Sequence, residues 1–335
     1  KQGRADLIAF GRQSIADPEL PAKARTGNLE TLAPCIGCLL GCVPNMFAGR
    51  PISCAVNPCV GRESDLTPAE VSKNVVVVGG GPGGLYAAWI CALRGHQVTL
   101  LEKHPELGGN FRIAAYPTGK GQITEVIRSF IVKCEKAGVD LRCNVEADEA
   151  LLTSLHPDAI ILATGSNPLI LPIPGLDTCG YITAQDMLEG KAPMGQKVLV
   201  VGGGMVGCEA AEYLAERGHE AAVIEMKDVI AADVTPENRR YMFANFEEHH
   251  VLLRPSAKVS QFYPDGVDYT LADGTAGSLR GYDNVVLAMG SRSNAVLKET
   301  AEKVAPQVFV IGEAAKAPGN AVLATHDALE AALQI

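Results

Sequence analysis

A strand, a glycine-rich turn and a helix follow one another in residues 75–102. Four consecutive valines predict a buried strand, which leads into the turn Gly79-Gly80-Gly81-Pro82-Gly83-Gly84 and an apolar helix from Leu85 to about Leu93. A second strand covers residues 97–101 and ends on Glu102. Such glycines permit a tight turn and let the backbone approach a pyrophosphate, and the helix N-terminus supplies free N–H groups. This pattern, the fingerprint, predicts a dinucleotide-binding fold in which Glu102 accepts hydrogen bonds from a ribose.

The fingerprint occurs a second time, 123 residues later in the chain. In chain order, the second copy consists of residues 198–201, Gly202, Gly204, Gly207 and Glu225. Each copy also has a later apolar strand that ends on small residues, at residues 160–165 and 285–290. One glycine-rich turn would be weak support for a nucleotide site, but chance is a poor explanation for two complete copies. The sequence therefore predicts two dinucleotide sites.

Composition limits the architecture and the partners. A chain of 335 residues is long enough for about two domains. Apolar residues make up 47% and aromatic residues only 5%, which suits parallel sheets covered by helices. The net charge of -9 argues against nucleic acid or an anionic membrane as a partner. We expect no signal peptide, and no membrane span because glycines interrupt the most apolar window. In a chain without secretory features, ten cysteines indicate the reducing cytoplasm.

Four cysteines lie within twenty residues, with glycines between them. Thiolates so spaced can surround one centre, which is either zinc or a 4Fe-4S cluster. Zinc ribbons usually carry two CxxC pairs, whereas here one CxxC is followed by two single cysteines. The pattern therefore favours iron-sulfur, with zinc and unligated thiols as alternatives. The predicted metal ligands are Cys35, Cys38, Cys42 and Cys54, and the nearby Cys59 has no assigned role.

The residues ahead of the cysteines have no sheet of their own. Residues 5–12 are predicted to form a strand ending in a loop, and a polar stretch with Pro18 and Pro21 follows. A single strand cannot form a sheet. We therefore expect this segment to be an arm that docks on something else.

Several features agree in their order along the chain: residues 3–21, the four cysteines, Asn57-Pro58, Gly61-Arg62-Glu63 and both fingerprints. Together they resemble the C-terminal half of the iron-sulfur flavoproteins related to old yellow enzyme, which include 2,4-dienoyl-CoA reductase, enoate reductase and trimethylamine dehydrogenase. The resemblance covers essentially the whole chain, and its most specific part is the cysteine spacing. In that family the first half is a TIM barrel carrying FMN and the substrate site, and Gly11-Arg12 match the loop that touches the FMN phosphate. The implied partners are this missing barrel, a nicotinamide nucleotide and, in a full-length protein, further copies of itself.

The resemblance implies the fold and the domain order. The expected class is α/β, with two Rossmann-like dinucleotide-binding domains, the second inserted in the first, preceded by a small four-cysteine iron-sulfur segment and a TIM-barrel remnant. The expected boundaries are 1–34 for the barrel remnant, 35–73 for the iron-sulfur segment and linker, 74–178 and 294–335 for the FAD-binding domain, and 179–293 for the NAD(P)H-binding domain.

By resemblance the first fingerprint binds FAD and the second binds the nicotinamide nucleotide, an order that the fingerprints alone leave open. The implied FAD contacts are Gly79, Gly81, Pro82, Gly83, Gly84, Glu102, Lys103, Gly109, Asn110, Ala163, Thr164, Gly165, Gly312 and Glu313. The implied contacts of the nicotinamide nucleotide are Gly202, Gly204, Met205, Val206, Gly207, Glu225, Met289 and Gly290. The family usually has aspartate at position 313, so the longer Glu313 is expected to shift its contact with the flavin ribitol.

Two acidic residues bear on the nicotinamide nucleotide. A carboxylate at Glu225 accepts hydrogen bonds from a free 2′-hydroxyl and repels a 2′-phosphate, and no arginine pair follows it, so NADH is favoured over NADPH. The family's pattern places Glu209 beside the nicotinamide pocket, but a solvated helix glutamate explains that residue equally well. No CxxC pair follows either fingerprint, so a redox-active disulfide is not expected.

The implied activity is that of an electron-input module. Hydride passes from NADH to FAD, single electrons pass to the 4Fe-4S cluster, and in complete family members FMN then reduces an activated C=C bond. We assign no catalytic residue, because those residues would lie in the missing barrel. Two alternatives stay open: a non-catalytic ADP-binding module, as in trimethylamine dehydrogenase, and a complete small FAD oxidoreductase with a structural zinc site.

Overall fold

The computed structural model describes residues 3–335. In that range the α-helices are α1 (Arg12–Ala16), α2 (Leu20–Thr26), α3 (Val43–Phe47), α4 (Pro82–Leu93), α5 (Asn110–Ala114), α6 (Gln122–Lys136), α7 (Glu149–Ser154), α8 (Ala184–Leu188), α9 (Met205–Ala215), α10 (Pro236–Glu248), α11 (Lys298–Val304) and α12 (Ala321–Gln334). The strands are β1 (Asn74–Val78), β2 (Gln97–Glu102), β3 (Asp140–Cys143), β4 (Ala159–Leu162), β5 (Ser166–Pro168), β6 (Ile182–Thr183), β7 (Lys197–Val201), β8 (Glu220–Ile224), β9 (Leu252–Arg254), β10 (Ala257–Tyr263), β11 (Gly266–Leu271), β12 (Ala276–Leu279), β13 (Asn284–Leu287), β14 (Ser291–Ser293) and β15 (Gln307–Val310). None of these described helices is both long enough and apolar enough to cross a bilayer.

The chain divides into two compact units. Unit 1 comprises residues 3–112, 121–166 and 293–335, and unit 2 comprises residues 113–120 and 167–292. Each unit contains one copy of the fingerprint.

Unit 1 is built on a parallel five-stranded sheet in the order β15-β4-β1-β2-β3. The central strand β1 contains the four valines, and Val76 and Val78 share a buried cluster with Leu152 of α7 and Ala301 of α11. Val75 and Val77, which are also fully buried, face the opposite side because successive strand residues alternate. Burial on both faces explains why this strand is a continuous apolar run.

Unit 2 contains a second parallel five-stranded sheet, in the order β6-β13-β7-β8-β9. Its register repeats that of unit 1, since Val75 pairs with Val98 in one sheet and Val198 pairs with Ala221 in the other. An antiparallel sheet, β10-β11-β12, also belongs to this unit, and a turn containing Asp273-Gly274 joins its last two strands. The predicted α/β class with two Rossmann-like units is confirmed.

The elements around the fingerprints lie close to their predicted positions. The later apolar strands are β4 and β13, and each pairs directly with the fingerprint strand of its unit. Helix α4 begins at Pro82, earlier than the predicted start at Leu85. Proline fits the first turn of a helix because its missing N–H would have no intrahelical partner there.

The strand predicted for residues 5–12 is wrong. Residues 5–10 have no regular structure, helix α1 begins at Arg12, and no strand of the described chain pairs with them. The polar stretch after them, which was expected to dock on something else, makes contacts within unit 1. Asn57 Nδ2 donates to the Ile15 carbonyl at 2.9 Å, and Ser129 Oγ donates to the Thr31 carbonyl at 3.0 Å.

Candidate functional site

The first fingerprint forms a tight turn between β1 and α4. Gly79 has a φ of +108°, which side chains rarely adopt, and a Cβ atom there would collide with the Ala163 carbonyl. A Cβ atom on Gly84 would collide with the Gly79 carbonyl, so helix and strand pack as closely as predicted. The turn therefore lies against the end of β4, where Ala163, Thr164 and Gly165 follow the strand.

Glu102, at the end of β2, is buried and holds the turn from the side of that strand. Its Oε2 accepts a hydrogen bond from the Gly80 N–H at 2.7 Å, and its Oε1 accepts one from the His104 N–H at 2.8 Å. Each oxygen keeps a second lone pair for a ribose hydroxyl. Glu102 thus has a structural role that the sequence did not reveal, because charge-assisted bonds of this kind fix the loop.

Asn110 and Glu313, which are far apart in the sequence, lie close together in unit 1. Glu313 Oε2 accepts a hydrogen bond from Ser166 Oγ at 2.9 Å, and Asn110 Nδ2 is 3.5 Å from the same oxygen. Glu313 Oε1 accepts a bond from the Gly319 N–H at 3.0 Å. The carboxylate is therefore fixed on both oxygens beside the turn after β4.

The remaining positions of the first site differ in their surroundings. A Cβ atom on Gly109 would lie 2.9 Å from the Gly81 Cα, so the backbone passes directly over the fingerprint. The Gly312 N–H donates to Asp327 Oδ2 at 2.9 Å, a contact that no sequence motif indicated. Lys103 is exposed.

The second fingerprint repeats this geometry in unit 2. Gly202 also has a φ of +108°, and a Cβ atom there would collide with the Ala288 carbonyl. Glu225 Oε2 accepts a hydrogen bond from the Gly203 N–H at 2.6 Å, and its Oε1 accepts one from the Lys227 N–H at 2.8 Å. Each group lies 123 residues after its counterpart in unit 1. The repeat therefore extends to individual hydrogen bonds.

The other predicted contacts of the nicotinamide nucleotide lie at the start of one helix and after the end of one strand. At the start of α9 are Gly204, Met205, Val206 and Gly207, and after β13 are Met289 and Gly290. The Met205 N–H donates to Asp233 Oδ1 at 2.8 Å. Sequence reasoning missed Asp233, because it lies in a loop outside the fingerprint.

Glu209 lies on α9 with its side chain only 13% exposed, and it forms an ion pair with Lys120. Lys120 comes from residues 113–120, which belong to unit 2 although the first fingerprint precedes them. Glu209 is therefore paired with a cation rather than free in solvent.

All four predicted metal ligands line one cavity next to α3. The Val56 N–H donates to the Cys54 sulfur at 3.4 Å, and the Leu40 backbone forms a hydrogen bond with Cys38. Burial raises the pKa of Cys38 and Cys54, and the neighbouring thiols raise it further. At neutral pH, Cys38 and Cys54 would therefore be thiolates only with bound positive charge beside them.

The donor set fits an iron-sulfur cluster. It offers four sulfurs together with backbone N–H donors, which are the groups that hold and tune such clusters. In residues 3–335, no group of three or more His, Cys, Asp or Glu side chains is placed to hold a single metal ion.

Gln13 of α1 fixes the start of the cysteine segment. Its Oε1 accepts a hydrogen bond from the Cys35 N–H at 2.8 Å, and its Nε2 donates to the Ala33 carbonyl at 3.1 Å. Arg12 and Ile15 of the same helix line the cysteine cavity. The segment interpreted as an arm is thus part of the wall of this cavity.

Cys59, which had no predicted role, is buried beside α4. Its sulfur lies 3.1 Å from the Tyr86 hydroxyl, and burial raises the pKa of both groups. It is absent from the residues that line the four-cysteine cavity. Cys59 therefore joins the cysteine segment to the first fingerprint helix by packing and a hydrogen bond.

The chain matches the model of one known protein family over most of its length. The model described as pyridine nucleotide-disulphide oxidoreductase matches residues 73–328, which contain both fingerprints. The chain belongs to the pyridine nucleotide-disulphide oxidoreductase family. All ten of its cysteines lie in the described residues 3–335, and none of them forms a disulfide there.

Curated relatives of this family member include enzymes of the type that the resemblance named. An NADH oxidase of Thermoanaerobacter brockii is 40% identical over 343 residues, which cover 100% of this chain and 52% of the relative. A cinnamate reductase of Clostridium sporogenes is 33% identical over 99% of this chain and 50% of the relative. The predicted resemblance is confirmed, and the chain spans about half the length of these relatives.

Solved structures agree with this assignment. A 2-naphthoyl-CoA reductase in complex with 2-naphthoyl-CoA matches with a TM-score of 0.94 and 33% identity, over 99% of this chain and 51% of that one. A histamine dehydrogenase from Rhizobium sp. 4-9 has a TM-score of 0.88 at 23% identity, which shows a shared fold. The family match and the relatives at 33% and 40% identity identify the chain as a module of an NAD(P)H-dependent flavin oxidoreductase.

Proposed function

We propose that the chain is the electron-input module of an NADH-dependent flavin oxidoreductase. The observation that carries this proposal is the duplicated site. The same glycine turn occurs in both units, together with the same buried glutamate that accepts two backbone hydrogen bonds. Two nucleotide sites in one chain suit a reaction in which one nucleotide supplies electrons to the other. The similarity to an NADH oxidase supports NADH as the donor.

Unit 1 is the proposed FAD site. The N-terminus of α4 would face the pyrophosphate, Glu102 the adenosine ribose and Glu313 the ribitol. Both carboxylates are already held by hydrogen bonds within the unit, so little ordering is needed when the cofactor binds. When bound, FAD would accept a hydride from NADH, and a 4Fe-4S cluster would accept electrons one at a time.

Unit 2 is the proposed NADH site. Glu225 is anchored by two backbone N–H groups and keeps lone pairs for the ribose hydroxyls. A 2′-phosphate at the same place would be repelled by this fixed negative charge. The paired Glu209 and Lys120 supply polar groups for the nicotinamide end of the nucleotide.

The cysteine cavity is the proposed cluster site. Its ligands would be Cys35, Cys38, Cys42 and Cys54. The N–H groups that point at Cys38 and Cys54 stabilise negative charge on sulfur. Gln13 holds the first ligand's backbone in place.

For the whole protein, we propose that electrons continue to FMN in a barrel and reduce an activated C=C bond. The relatives named cinnamate reductase and 2-naphthoyl-CoA reductase support this substrate class. We propose the cytoplasm as its location, because a reducing compartment suits ten cysteines that form no disulfide in the described residues.

The proposal is tested by steady-state reduction of ferricyanide with NADH, using the chain loaded with FAD. We expect reduction of ferricyanide but no reduction of cinnamate, because the acceptor site for an enoate lies in the proposed barrel. Failure of the FAD-loaded chain to oxidise NADH would contradict the proposal.

Two matched variants separate the sites. Gly207→Val introduces a side chain against the Gly202 carbonyl, and Gly84→Val does the same against the Gly79 carbonyl. The first variant is expected to retain FAD and lose NADH oxidation, and the second to lose FAD. The reverse pattern would show that the two nucleotides are assigned to the wrong units.

A further inference from the structure

The repeat continues beyond the fingerprints into the loop that follows the second strand of each. The Gly108 N–H donates to the Gly80 carbonyl at 2.8 Å in unit 1, and the Ala231 N–H donates to the Gly203 carbonyl at 2.7 Å in unit 2. Both partners are again displaced by 123 residues. The two loops are therefore held against their fingerprints in the same way.

Two residues further along, the loops differ in charge. The equivalent positions are occupied by Asn110 in unit 1 and by Asp233 in unit 2. An amide is neutral and can donate hydrogen bonds to a phosphate, whereas a carboxylate only accepts them and repels a phosphate. This is a difference between the two sites in the loop that lies over the expected pyrophosphate position.

In unit 2 the carboxylate occupies the N-terminus of the fingerprint helix. Asp233 Oδ1 accepts the hydrogen bond from the Met205 N–H at 2.8 Å, and a Cβ atom on Gly204 would lie 3.4 Å from its Oδ2. Backbone N–H groups at this helix end are the ones that bind a dinucleotide pyrophosphate in this fold. Asp233 therefore lies where the phosphates need to be.

Unit 1 has no such contact at the equivalent position. The counterpart of Met205 is Pro82, which has no N–H, and Gly81 before it provides no side-chain cap. Asn110 instead lies 3.5 Å from Glu313. The N-terminus of α4 is thus not engaged by the loop residue that corresponds to Asp233.

We propose that Asp233 competes with the nucleotide pyrophosphate for the N-terminus of α9, and so makes the nucleotide of unit 2 exchangeable. The inference rests on the proposed function, in which unit 1 retains FAD while unit 2 releases its nucleotide after each turnover. Asp233 is exposed, so its side chain can leave the helix end without unfolding the loop. Its negative charge still weakens the binding of a ligand with two phosphate charges.

The test is the variant Asp233→Asn. Asparagine caps a helix N-terminus as well as aspartate does, so the helix keeps its hydrogen bond while the charge is removed. We expect the variant to bind NADH and ADP-ribose about tenfold more tightly, the effect of losing one nearby like charge. Asp228→Asn is the matched control, because it removes an exposed carboxylate from the same loop, and we expect less than about a twofold change.

Both dissociation constants are measured by isothermal titration calorimetry on the FAD-loaded chain, with its flavin reduced beforehand under anaerobic conditions, so that NADH binds without transferring a hydride and only unit 2 is open to the ligand. ADP-ribose has the pyrophosphate but no nicotinamide, so its affinity reports the helix end alone. Tighter binding by Asp233→Asn but not by Asp228→Asn supports the inference. If Asp233→Asn binds the ligands equally or more weakly while the parent binds normally, the inference is overturned but the proposed function is not. Absence of binding by parent and variants contradicts the proposed function itself, and the inference with it.

Discussion

Glu225 is fixed in place before any nucleotide arrives. Its two oxygens accept hydrogen bonds from the Gly203 and Lys227 N–H groups, and the side chain is buried at the end of β8. A fixed charge discriminates better than a mobile one, since it cannot turn away from an incoming 2′-phosphate. The distinction between NADH and NADPH is therefore expected to reside in this carboxylate.

The variant Glu225→Gln tests that role. The glutamine side chain has no negative charge, so the repulsion of NADPH disappears. Its NH2 group faces a backbone N–H donor with which it cannot form a hydrogen bond, so NADH binding weakens. We expect the preference for NADH over NADPH, as a ratio of kcat/KM values, to fall about tenfold.

Glu220→Gln is the matched control for this prediction, because Glu220 lies at the exposed start of the same strand. Its ion pair with Lys197 is on the surface and is worth little. An unchanged preference in Glu225→Gln, or an equal fall in both variants, would contradict the role given to Glu225.

The sequence predicted the residues whose function depends on local spacing. The fingerprint glycines and the four cysteines were found because turns and metal loops impose their pattern on neighbouring residues. Gln13, Asp233 and Asp327 were missed because each acts on a distant part of the chain. Such contacts depend on tertiary packing and leave no periodic or spaced signal.

The short helices α1 and α2 depend on a buried ion pair. Lys23 Nζ lies 2.7 Å from Asp17 Oδ2, and the two side chains are only 10% and 4% exposed. The same carboxylate oxygen accepts a hydrogen bond from the Ala33 N–H at 3.1 Å, just ahead of the cysteine segment. These helices are therefore fixed by polar contacts rather than by a strand pairing.

Removing one partner of this pair is expected to be costly. Asp17→Asn leaves the buried Lys23 charge with only the exposed Glu19 carboxylate, 3.3 Å away, as a counterion, and we expect a loss of about 3 kcal/mol in the free energy of unfolding. The measurement is urea denaturation followed by circular dichroism. Asp140→Asn, which breaks the exposed pair with Arg142, should cost less than about 1 kcal/mol. Similar losses in the two variants would show that the buried pair does not hold this segment.

The strand predicted for residues 5–12 does not form, because it has no neighbouring strand in the described chain. Its apolar residues suggested burial, yet Leu7 and Ile8 are 92% and 72% exposed. A strand forms only where a neighbour accepts its backbone hydrogen bonds. The paired strands β1, β2 and β4 were predictable because the repeat supplies a sheet for each copy.

Stability of the whole chain is expected to depend on pH through Lys133 of α6. Its Nζ lies 4.5 Å from the centre of the Trp89 ring, and burial lowers its pKa from 10.5 to about 8. Below pH 8 the Lys133 amine is protonated in both the folded and the unfolded chain. Burial of this charge then lowers the stability of the folded chain. Between pH 8 and 10.5 the unfolded chain binds more protons, so the stability contributed by this group increases with pH.

Lys133→Met removes the buried charge and keeps an apolar side chain. We expect it to stabilise the fold by about 2 kcal/mol at pH 7, and this gain should decrease as the pH approaches 10. Thermal melting at both pH values measures the effect, with Lys136→Met as an exposed control on the same helix. A gain that is independent of pH would contradict the assignment to Lys133.

The central claim is that NADH reduces FAD within this chain and that a cluster on the four cysteines receives the electrons. The most direct measurement is an anaerobic NADH titration followed by visible absorbance, with iron and acid-labile sulfide assayed on the same sample. The account predicts bleaching of the flavin band together with a broad cluster band, at about four irons per chain. A chain loaded with FAD whose flavin absorbance does not change with NADH would contradict it.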